Sequence, residues 1–354
     1  MNNMRNENMK ILWNAYDILR GSLNPADSKK YILNLFFLKC ITIEELALII
    51  PEKASYNYIF ENRESKKLGS IINDSIETLE TTNPLLKDAF LEADFNSKEI
   101  TIKDNFILSN LVETFNKIDL SIDNPVEVFE LLLTKKFKSS RKSSGEHFTP
   151  IEISVLLAKL IEPKRCDSIY DPCAGTGTLL NKVAKEIKEK DFKLYAQEIN
   201  KNILAICKMN LILNGMAPNI EKVELGNTLL EPKILDGNEL KKFNVVVSNF
   251  PISLSNWFLK KGNKEDPYDR FEYGIPPKNS GDYAFISHIL KSLDEKDGRA
   301  AVIVSHGVLF RGRSEKTIRK GIIEDNLIDA VIGLPEDLLH NTSIPIAILI
   351  FKKD

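Results

Sequence analysis

The sequence has few cysteines, no long hydrophobic run and no excess of positive charge. Four of its 354 residues are cysteine, and their wide spacing matches neither a zinc site nor a disulfide framework, which favours a reducing compartment. No apolar stretch reaches the ~20 residues that span a bilayer. The first residues, MNNMRNENMK, lack the apolar core of a secretory signal. These absences predict a cytoplasmic protein without a membrane partner.

The charges nearly cancel, with 48 Lys and Arg against 50 Asp and Glu and a formal net charge of −2. A protein that grips DNA alone usually carries a basic excess, because neutralising phosphates dominates non-specific affinity. If nucleic acid is the substrate, a partner is therefore expected to supply much of the affinity for it. The composition is 43% hydrophobic and 28% charged, which excludes a disordered or low-complexity chain.

The chain changes character near residue 130. Apolar residues recur at helical spacing in MKILWNAYDILR and NPVEVFELLLTKKF, which predicts an N-terminal helical domain over residues 1–130. Residues 131–149 are predicted to be a linker that leads into a segment covering the ligand. Basic residues crowd into that linker, either as a solvated stretch or as a hinge that meets phosphate: Lys135, Lys136, Lys138, Arg141 and Lys142.

Short β-branched runs alternate with helical patterns from residue 150 to residue 354. The runs are CDSIYD, FKLYAQ, KVEL, FNVVVSN, RAAVIVS, LIDAVIG and PIAILIF. This alternation predicts an α/β domain with seven strands in one mainly parallel sheet and helices on both faces. In such a sheet the ligand binds beyond the carboxyl ends of the strands, so the chemistry is expected there.

The first strand runs into a turn with two glycines, DPCAGTGT, and then into a helix. The dinucleotide fingerprint needs a third glycine where this chain has Leu180, so a nicotinamide oxidoreductase is the least favoured function. Asp171 would repel a pyrophosphate but could accept hydrogen bonds from an ammonium group. The alternative is a glycine-rich turn that binds nothing.

Polar residues also follow the next three predicted strands. Glu198 ends the second strand, where an acidic residue can accept hydrogen bonds from both hydroxyls of a ribose. Taken alone, a glutamate in this position would more often be a neighbour of a helix cap. Asn227, Thr228 and Leu229 follow the third strand. Asn249 follows the fourth in a rigid turn, and its amide carbonyl can accept from an exocyclic amine; by itself, Asn-x-Pro is a common turn.

These motifs carry a resemblance to a known family. DPCAGTGTLL, QEIN and SNFP resemble the methionine-pocket, ribose and catalytic motifs of S-adenosylmethionine-dependent methyltransferases that act on adenine N6. The chain is most similar to the modification (M) subunits of type I restriction–modification systems, the HsdM family. Further blocks that support this are LWNAYDILRGSLNPADSKKYILNLFFLK, GEHFTP, YGIPPKNSGDYAFISHIL, HGVLFRGRSEKTIRKGII and AVIGLPEDLLHNTSIPIAILIF.

The resemblance implies a fold, a cofactor and partners. It implies a Rossmann-like methyltransferase sheet, S-adenosylmethionine as cofactor, and a target adenine flipped out of double-stranded DNA. Its implied partners are a specificity (S) subunit, a second copy of the M subunit and an optional restriction (R) subunit. The implied cofactor-binding residues are Glu146, His147, Phe148, Thr149, Asp171, Pro172, Ala174, Gly175, Thr176, Gly177, Glu198, Asn227, Thr228, Leu229 and Asn249. The implied catalytic turn is Asn249, Phe250, Pro251 and Ile252.

The chain departs from the family pattern in three places. Ile252 stands where the family has a stacking aromatic, Asn227 stands where it usually has Asp, and the usual C-terminal helical tail is predicted to be absent after FKKD. Ile252 favours an alternative function, a scaffold that binds cofactor and partner but transfers weakly or not at all. A methyltransferase acting on a protein glutamine amide also uses a similar turn, but the N-terminal helical block speaks against it.

The long segment after the catalytic turn is rich in aromatic residues. A target-base loop is predicted here, with candidate stacking residues Trp257, Tyr268, Phe271 and Tyr273. The alternative is a loop whose aromatics pack on the domain. None of the histidines (His147, His288, His306, His340) has metal-ligand spacing, so no metal is assigned.

Overall fold

The computed structural model describes residues 5–43, 46–101, 105–120, 124–137, 149–258, 266–339 and 343–353. The chain divides into two compact units, one of residues 1–143 with 208–218 and one of residues 144–207 with 219–354. The predicted boundaries at residues 130 and 149 stay predictions, because a helix continues through 131–137 and residues 138–148 lie outside the described part. The side chains of the predicted basic hinge also lie outside the described part of the chain.

The first unit is built from helices, as predicted, and its described residues include no β-strand. Its centre is a helix that buries nearly every residue from Tyr31 to Ile41, because an all-round apolar helix needs cover on all sides. The helices are α1 (Arg5–Leu19), α2 (Pro25–Ile43), α3 (Tyr56–Glu61), α4 (Leu68–Thr82), α5 (Lys98–Thr101), α6 (Phe106–Asn116) and α7 (Pro125–Phe137), with 3₁₀ turns at Glu52–Ala54 and Pro84–Leu86.

A buried lysine of α2 joins this central helix to the end of α6. The Lys39 Nζ donates to the carbonyl oxygens of Phe115 at 2.8 Å, Asn116 at 3.0 Å and Ile118 at 2.6 Å. The last carbonyls of a helix have no partner within the helix, and a cation there also meets the negative end of its dipole. Lys39 therefore supplies a donor to the carbonyls of Asn116 and Ile118, and a second donor to that of Phe115, which also accepts from the Ile118 N–H.

The second unit is an α/β fold around one seven-stranded sheet in the order β3-β2-β1-β6-β7-β9-β8. The strands are β1 (Ser168–Asp171), β2 (Lys193–Glu198), β3 (Ile220–Leu225), β6 (Val245–Ser248), β7 (Arg299–Ser305), β8 (Ile328–Gly333) and β9 (Ile346–Lys352), with a separate hairpin of β4 (Leu235–Asp236) and β5 (Glu239–Leu240). The helices are α8 (Ile151–Ile161), α9 (Thr178–Glu186), α10 (Lys201–Leu213), α11 (Asp282–Lys291), α12 (Gly307–Phe310) and α13 (Ser314–Glu324), with a 3₁₀ turn at Ala217–Asn219.

The seven predicted strands and the mainly parallel sheet are confirmed. The exception is β9, which pairs antiparallel with both β7 and β8. Every residue of β6 is buried, since a central parallel strand is covered on both faces and needs an uninterrupted apolar run. The outermost strands, β3 and β8, keep exposed residues. Sequence periodicity missed the short β4–β5 hairpin.

The sheet brings four strand ends to one edge. β1, β2, β3 and β6 are mutually parallel, so their carboxyl ends lie on the same side. The strand order reverses between β1 and β6, which is the place where sheets of this kind bind ligands. Among the described residues, no helix has the length and apolar character needed to cross a bilayer.

We expect Lys39→Met to destabilise the helical unit by about 3 kcal/mol, because it leaves buried carbonyls unpaired. The measurement is urea unfolding followed by Trp13 fluorescence in a Trp257→Phe background, which leaves one tryptophan in the chain. Lys10→Met, the same change at an exposed site of α1, is the control and should stay within about 0.5 kcal/mol. Equal unfolding midpoints for the two variants would contradict the role of Lys39.

Candidate active site

A cavity of about 330 Å³ opens at the carboxyl edge of the sheet. It brings together most of the residues that the sequence motifs single out, although they are spread over about 100 positions of the chain. The predicted residues in its wall are Thr149, Asp171, Pro172, Ala174, Gly175, Thr176, Glu198, Asn227, Thr228, Asn249 and Pro251. Residues that the motifs did not single out also line it: Cys173, Thr178, Leu179, Ile199, Asn200, Ile203, Gly226, Leu254 and Phe285.

Asp171 is a buried carboxylate at the end of β1. Its Oδ1 accepts from the Cys173 N–H at 2.9 Å and from the Ser248 hydroxyl at 3.0 Å. The pKa of Asp171 is raised to about 7, because burial and, to a lesser extent, the nearby charge of Glu198 outweigh the two hydrogen bonds, which lower it. A positive charge in the cavity would therefore stabilise the ionised form strongly.

The two glycines of the turn have different tasks. Gly175 has a φ of +53°, and a Cβ built there meets nothing within 4 Å, so the backbone conformation and not a lack of space requires glycine. Gly177 does not line the cavity. A Cβ at Gly177 would lie 2.9 Å from the Cys207 Sγ of α10, so this glycine lets α9 begin close to α10. Gly177 also has a positive φ, +73°, and its predicted cofactor contact stays a prediction beside this packing role.

Glu198 lies between the glycine turn and the start of α10. Its Oε2 accepts from the Gly175 N–H at 3.0 Å and its Oε1 from the Asn200 N–H at 2.9 Å. These bonds fix the carboxylate at the cavity wall. Ile199, the next residue, is 65% exposed and adds an apolar surface to the same wall. Its signal in the sequence is an apolar residue directly after the acidic strand end.

The loop after β3 is ordered by its own side chains. The Asn227 Oδ1 accepts from the N–H groups of Leu229 at 3.0 Å and Leu230 at 3.1 Å, as an amide or a carboxylate does when it caps a turn. The Thr228 hydroxyl donates to the carbonyl oxygen of Pro172. Leu229 is buried and lies outside the cavity wall, and its predicted contact with cofactor stays a prediction.

The amide of Asn249 has a fixed orientation. Its Nδ2 donates to the Thr149 Oγ1 at 2.9 Å, while its Oδ1 is buried and has no hydrogen-bond partner among the described residues. A buried carbonyl oxygen without a donor costs free energy, so an oxygen held in this state at a cavity wall is prepared for a donor that arrives from outside. Thr149 belongs to the GEHFTP block, and its observed role is to orient Asn249.

The rest of the predicted catalytic turn divides between cavity and core. The Phe250 side chain is buried and stacks on Phe285 with ring centroids 5.0 Å apart, so only its backbone is available to a ligand. It does not replace the missing stacking aromatic. Ile252 is half-buried and lies outside the cavity wall.

Three of the four candidate stacking residues pack on the domain instead. Trp257 is 4% exposed and its indole N–H donates to the Pro277 carbonyl. Phe271 and Tyr273 pack against the same apolar core, and the Tyr273 hydroxyl donates to Asp325. The packing alternative therefore holds for these residues. Glu146, His147 and Phe148, predicted to cover the cofactor, lie outside the described residues.

Comparison with known proteins agrees with this geometry. The sheet order, the glycine turn and the acidic end of β2 define the class of S-adenosylmethionine-dependent methyltransferases. A family model for N-6 DNA methylase matches residues 120–354, and one for the HsdM N-terminal domain matches residues 9–47. The chain belongs to the N-6 DNA methylase family, whose cofactor is S-adenosylmethionine.

The relatives are methylase subunits of type I restriction enzymes. The MpnII methylase subunit of Mycoplasma pneumoniae is 30% identical over 99% of this chain and 77% of its own length. The MjaVIII methylase subunit of Methanocaldococcus jannaschii is 33% identical over 81% of this chain and 50% of its own length. The crystal structure of a type I methyltransferase subunit from Streptococcus thermophilus aligns with a TM-score of 0.85 at 25% identity, over 99% of this chain and 85% of that one.

We expect Asp171→Asn to stabilise the second unit at pH 8. A carboxyl group whose pKa is higher in the folded than in the unfolded state contributes stability below its unfolded pKa of about 4 and loses it as pH rises through about 7. The neutral isostere avoids that loss, so its free energy of unfolding at pH 8 should be higher by on the order of 3 kcal/mol.

The measurement is urea unfolding followed by Trp257 fluorescence in a Trp13→Phe background. The same comparison at pH 5 is the internal control: the folded carboxyl is protonated there while the unfolded one is mostly ionised, so the gain should fall to about 1.5 kcal/mol. An equal gain at both pH values would show that Asp171 is not the titrating group.

Proposed function

We propose that this chain is the methyl-transferring subunit of a type I restriction–modification enzyme and methylates the N6 amine of an adenine in DNA. The observation that carries the proposal is the amide of Asn249, held by Thr149 so that its buried Oδ1 has no donor among the described residues. An exocyclic amine supplies such a donor. Family membership and the names of the relatives support the same reaction.

The cavity fits S-adenosylmethionine in charge and in shape. Asp171 would accept from the ammonium group, Glu198 from the ribose hydroxyls, and the open backbone at Gly175 leaves room beside them. When bound, this cofactor supplies a methyl group made electrophilic by a sulfonium centre. The residues of the chain orient the reactants, which is the main contribution a protein makes to such a transfer.

Asn249 and the backbone of its turn would hold the target amine. The N6 lone pair of adenine is delocalised into the ring, so the free amine is a weak nucleophile. Acceptors such as the Asn249 Oδ1 that favour a pyramidal nitrogen localise that lone pair and direct it towards the methyl group. Because an amine inside a duplex cannot reach the cavity, the base would be flipped out.

The proposal includes partners. Double-stranded DNA would be gripped mainly by a specificity subunit, because the net charge of −2 gives this chain little non-specific affinity of its own. A second copy of the chain and an optional restriction subunit would complete the enzyme. A cytoplasmic location accords with four cysteines, none of which forms a disulfide.

The decisive experiment expresses the chain with its cognate specificity subunit and maps N6-methyladenine at base resolution. We expect methylation at one defined motif. Asn249→Ala should lower the transfer rate at least 100-fold, since it removes the acceptor. Thr149→Val should lower it about tenfold by freeing the amide to rotate. Both variants should keep a calorimetric affinity for S-adenosylmethionine within about threefold of wild type.

The matched control is Thr78→Val, the same substitution at an exposed site of α4, which should leave the rate unchanged. Loss of cofactor affinity in parallel with activity would mean that Asn249 serves the cofactor and not the target. Absence of methylation by an assembled complex that binds cofactor would overturn the proposed reaction.

A second candidate function is a scaffold that binds cofactor but transfers poorly. One observation favours it: among the described wall residues the aromatic one is Phe285, which is 5% exposed and already stacked on Phe250. A flipped base therefore lacks an evident stacking partner.

If stacking limits transfer, Ile252→Phe should raise kcat/KM for DNA about tenfold, within the ~1–3 kcal/mol that stacking contributes per base. Ile252→Val is the control and should stay within about twofold. The measurement is steady-state methylation of DNA that carries the target motif. No transfer by the wild-type chain or by Ile252→Phe, with cofactor still bound, would favour the scaffold.

A further inference from the structure

Arg270 is a buried arginine whose guanidinium lies against the loop that follows β3. It is 6% exposed. One terminal nitrogen, NH2, donates to the carbonyl oxygen of Leu229 at 2.9 Å, and the other, NH1, to that of Thr228 at 3.4 Å. Thr228 lines the cavity, and both residues follow Asn227 directly. A planar guanidinium can hold two adjacent carbonyls in a fixed geometry, which the single nitrogen of a lysine cannot reproduce.

The charge of Arg270 is balanced within the protein. The Asp266 Oδ1 lies 2.9 Å from the Arg270 Nε and 2.8 Å from NH2, and the two side chains are 6% and 8% exposed. His288 lies on another side, with its Nδ1 3.5 Å from NH1. Burial, together with the Arg270 charge, holds the pKa of His288 well below its usual range, so the neutral ring accepts from the arginine. Arg270 is therefore oriented from several directions.

These contacts close a ring around the end of β1. The His288 Nε2 lies 3.4 Å from the Tyr170 hydroxyl, and Tyr170 immediately precedes Asp171. The Thr228 hydroxyl donates to the carbonyl of Pro172, which immediately follows Asp171. The ring thus runs from one neighbour of Asp171 to the other through His288, Arg270 and Thr228. A displacement of Arg270 would therefore also disturb the contacts of the two residues that flank Asp171.

We propose that Arg270 is a positioning residue that, by holding the Thr228 and Leu229 carbonyls, keeps Asn227 and Thr228 of the cavity wall in the conformation that binds S-adenosylmethionine. Arg270 belongs to the segment between the turn at Asn249 and α11. The same contact therefore links this segment to the loop after β3, so a cofactor that orders the loop would also order the residues around Arg270. The inference rests on the proposed function, since it assumes S-adenosylmethionine in the cavity.

The second unit offers a closely matched control. Arg299 also pairs with a buried aspartate, Asp167, at 2.6 Å, and also donates to two backbone carbonyls, those of Ile161 and Glu162. It lies at the start of β7, at the opposite edge of the sheet from the cavity. Arg299→Lys therefore reproduces the loss of a buried guanidinium without touching the proposed site.

The test is calorimetric titration of the whole chain with S-adenosylmethionine. We expect Arg270→Lys to raise the Kd at least tenfold, whereas Arg299→Lys stays within about twofold, although both lower thermal stability. Hydrogen exchange gives a second readout. In the wild type, S-adenosylmethionine should slow amide exchange in residues 226–230 and also in 266–274, and Arg270→Lys should abolish the slowing in 266–274.

Each result decides between the two proposals. Wild-type affinity in Arg270→Lys overturns the inference alone, as does a loss of affinity that Arg299→Lys shares. A wild-type chain that does not bind S-adenosylmethionine overturns the proposed function and this inference together. If Arg270→Lys does not fold, Asp266→Asn replaces it, with an expected rise in Kd of about threefold; an unchanged Kd there overturns the inference.

Discussion

The parallel pairing of β1 with β2 on one side and β6 on the other is the constraint on which the site depends. Tyr170 pairs with Tyr195 and with Val246, so the three strands reach the edge of the sheet in step. Residues separated by up to about 100 positions therefore meet in one cavity as a consequence of backbone hydrogen bonding. The buried strands thus determine where the side chains of the site lie, and the bond from Ser248 of β6 to Asp171 of β1 adds one side-chain link between them.

At this edge of the sheet, one buried polar group lacks a counter-charge and another lacks a hydrogen-bond donor among the described residues. Asp171 is a buried carboxylate that accepts two hydrogen bonds but faces no cation, and the Asn249 Oδ1 is a buried acceptor without a donor. Each is unfavourable for folding alone. The first would be relieved by a positive charge and the second by an N–H group. A cationic methyl donor beside an amine supplies both. The two features that lower the stability of the protein therefore complement the charged and polar groups of the proposed reactants.

The sequence predicted the elements better than the contacts. Strand and helix periods persist over many residues, and polar residues after apolar strands mark the carboxyl edge whatever the details of the loops. The bond from Asn249 to Thr149 joins positions 100 residues apart, and no local pattern encodes it. The packing of Gly177 against α10 could not be predicted, because a glycine beside a ligand and a glycine beside a helix look alike in sequence. Nothing in the sequence distinguishes Arg270 from the other charged residues of its loop.

The segment between β6 and α11 shows that an aromatic-rich composition is typical both of a ligand-binding surface and of a packed core. Its aromatic residues predicted a surface for a flipped base, but Trp257, Phe271 and Tyr273 pack against the core and anchor the described part of the segment. An anchored segment can carry the buried Arg270, which a mobile loop could not keep desolvated and paired. In the proposed reaction the base would then depend less on stacking than on hydrogen bonds at Asn249, with Pro251 and Leu254 as the apolar wall. Precise placement of the amine thereby becomes a property of the backbone turn, which the sheet fixes, and not of a flexible ring.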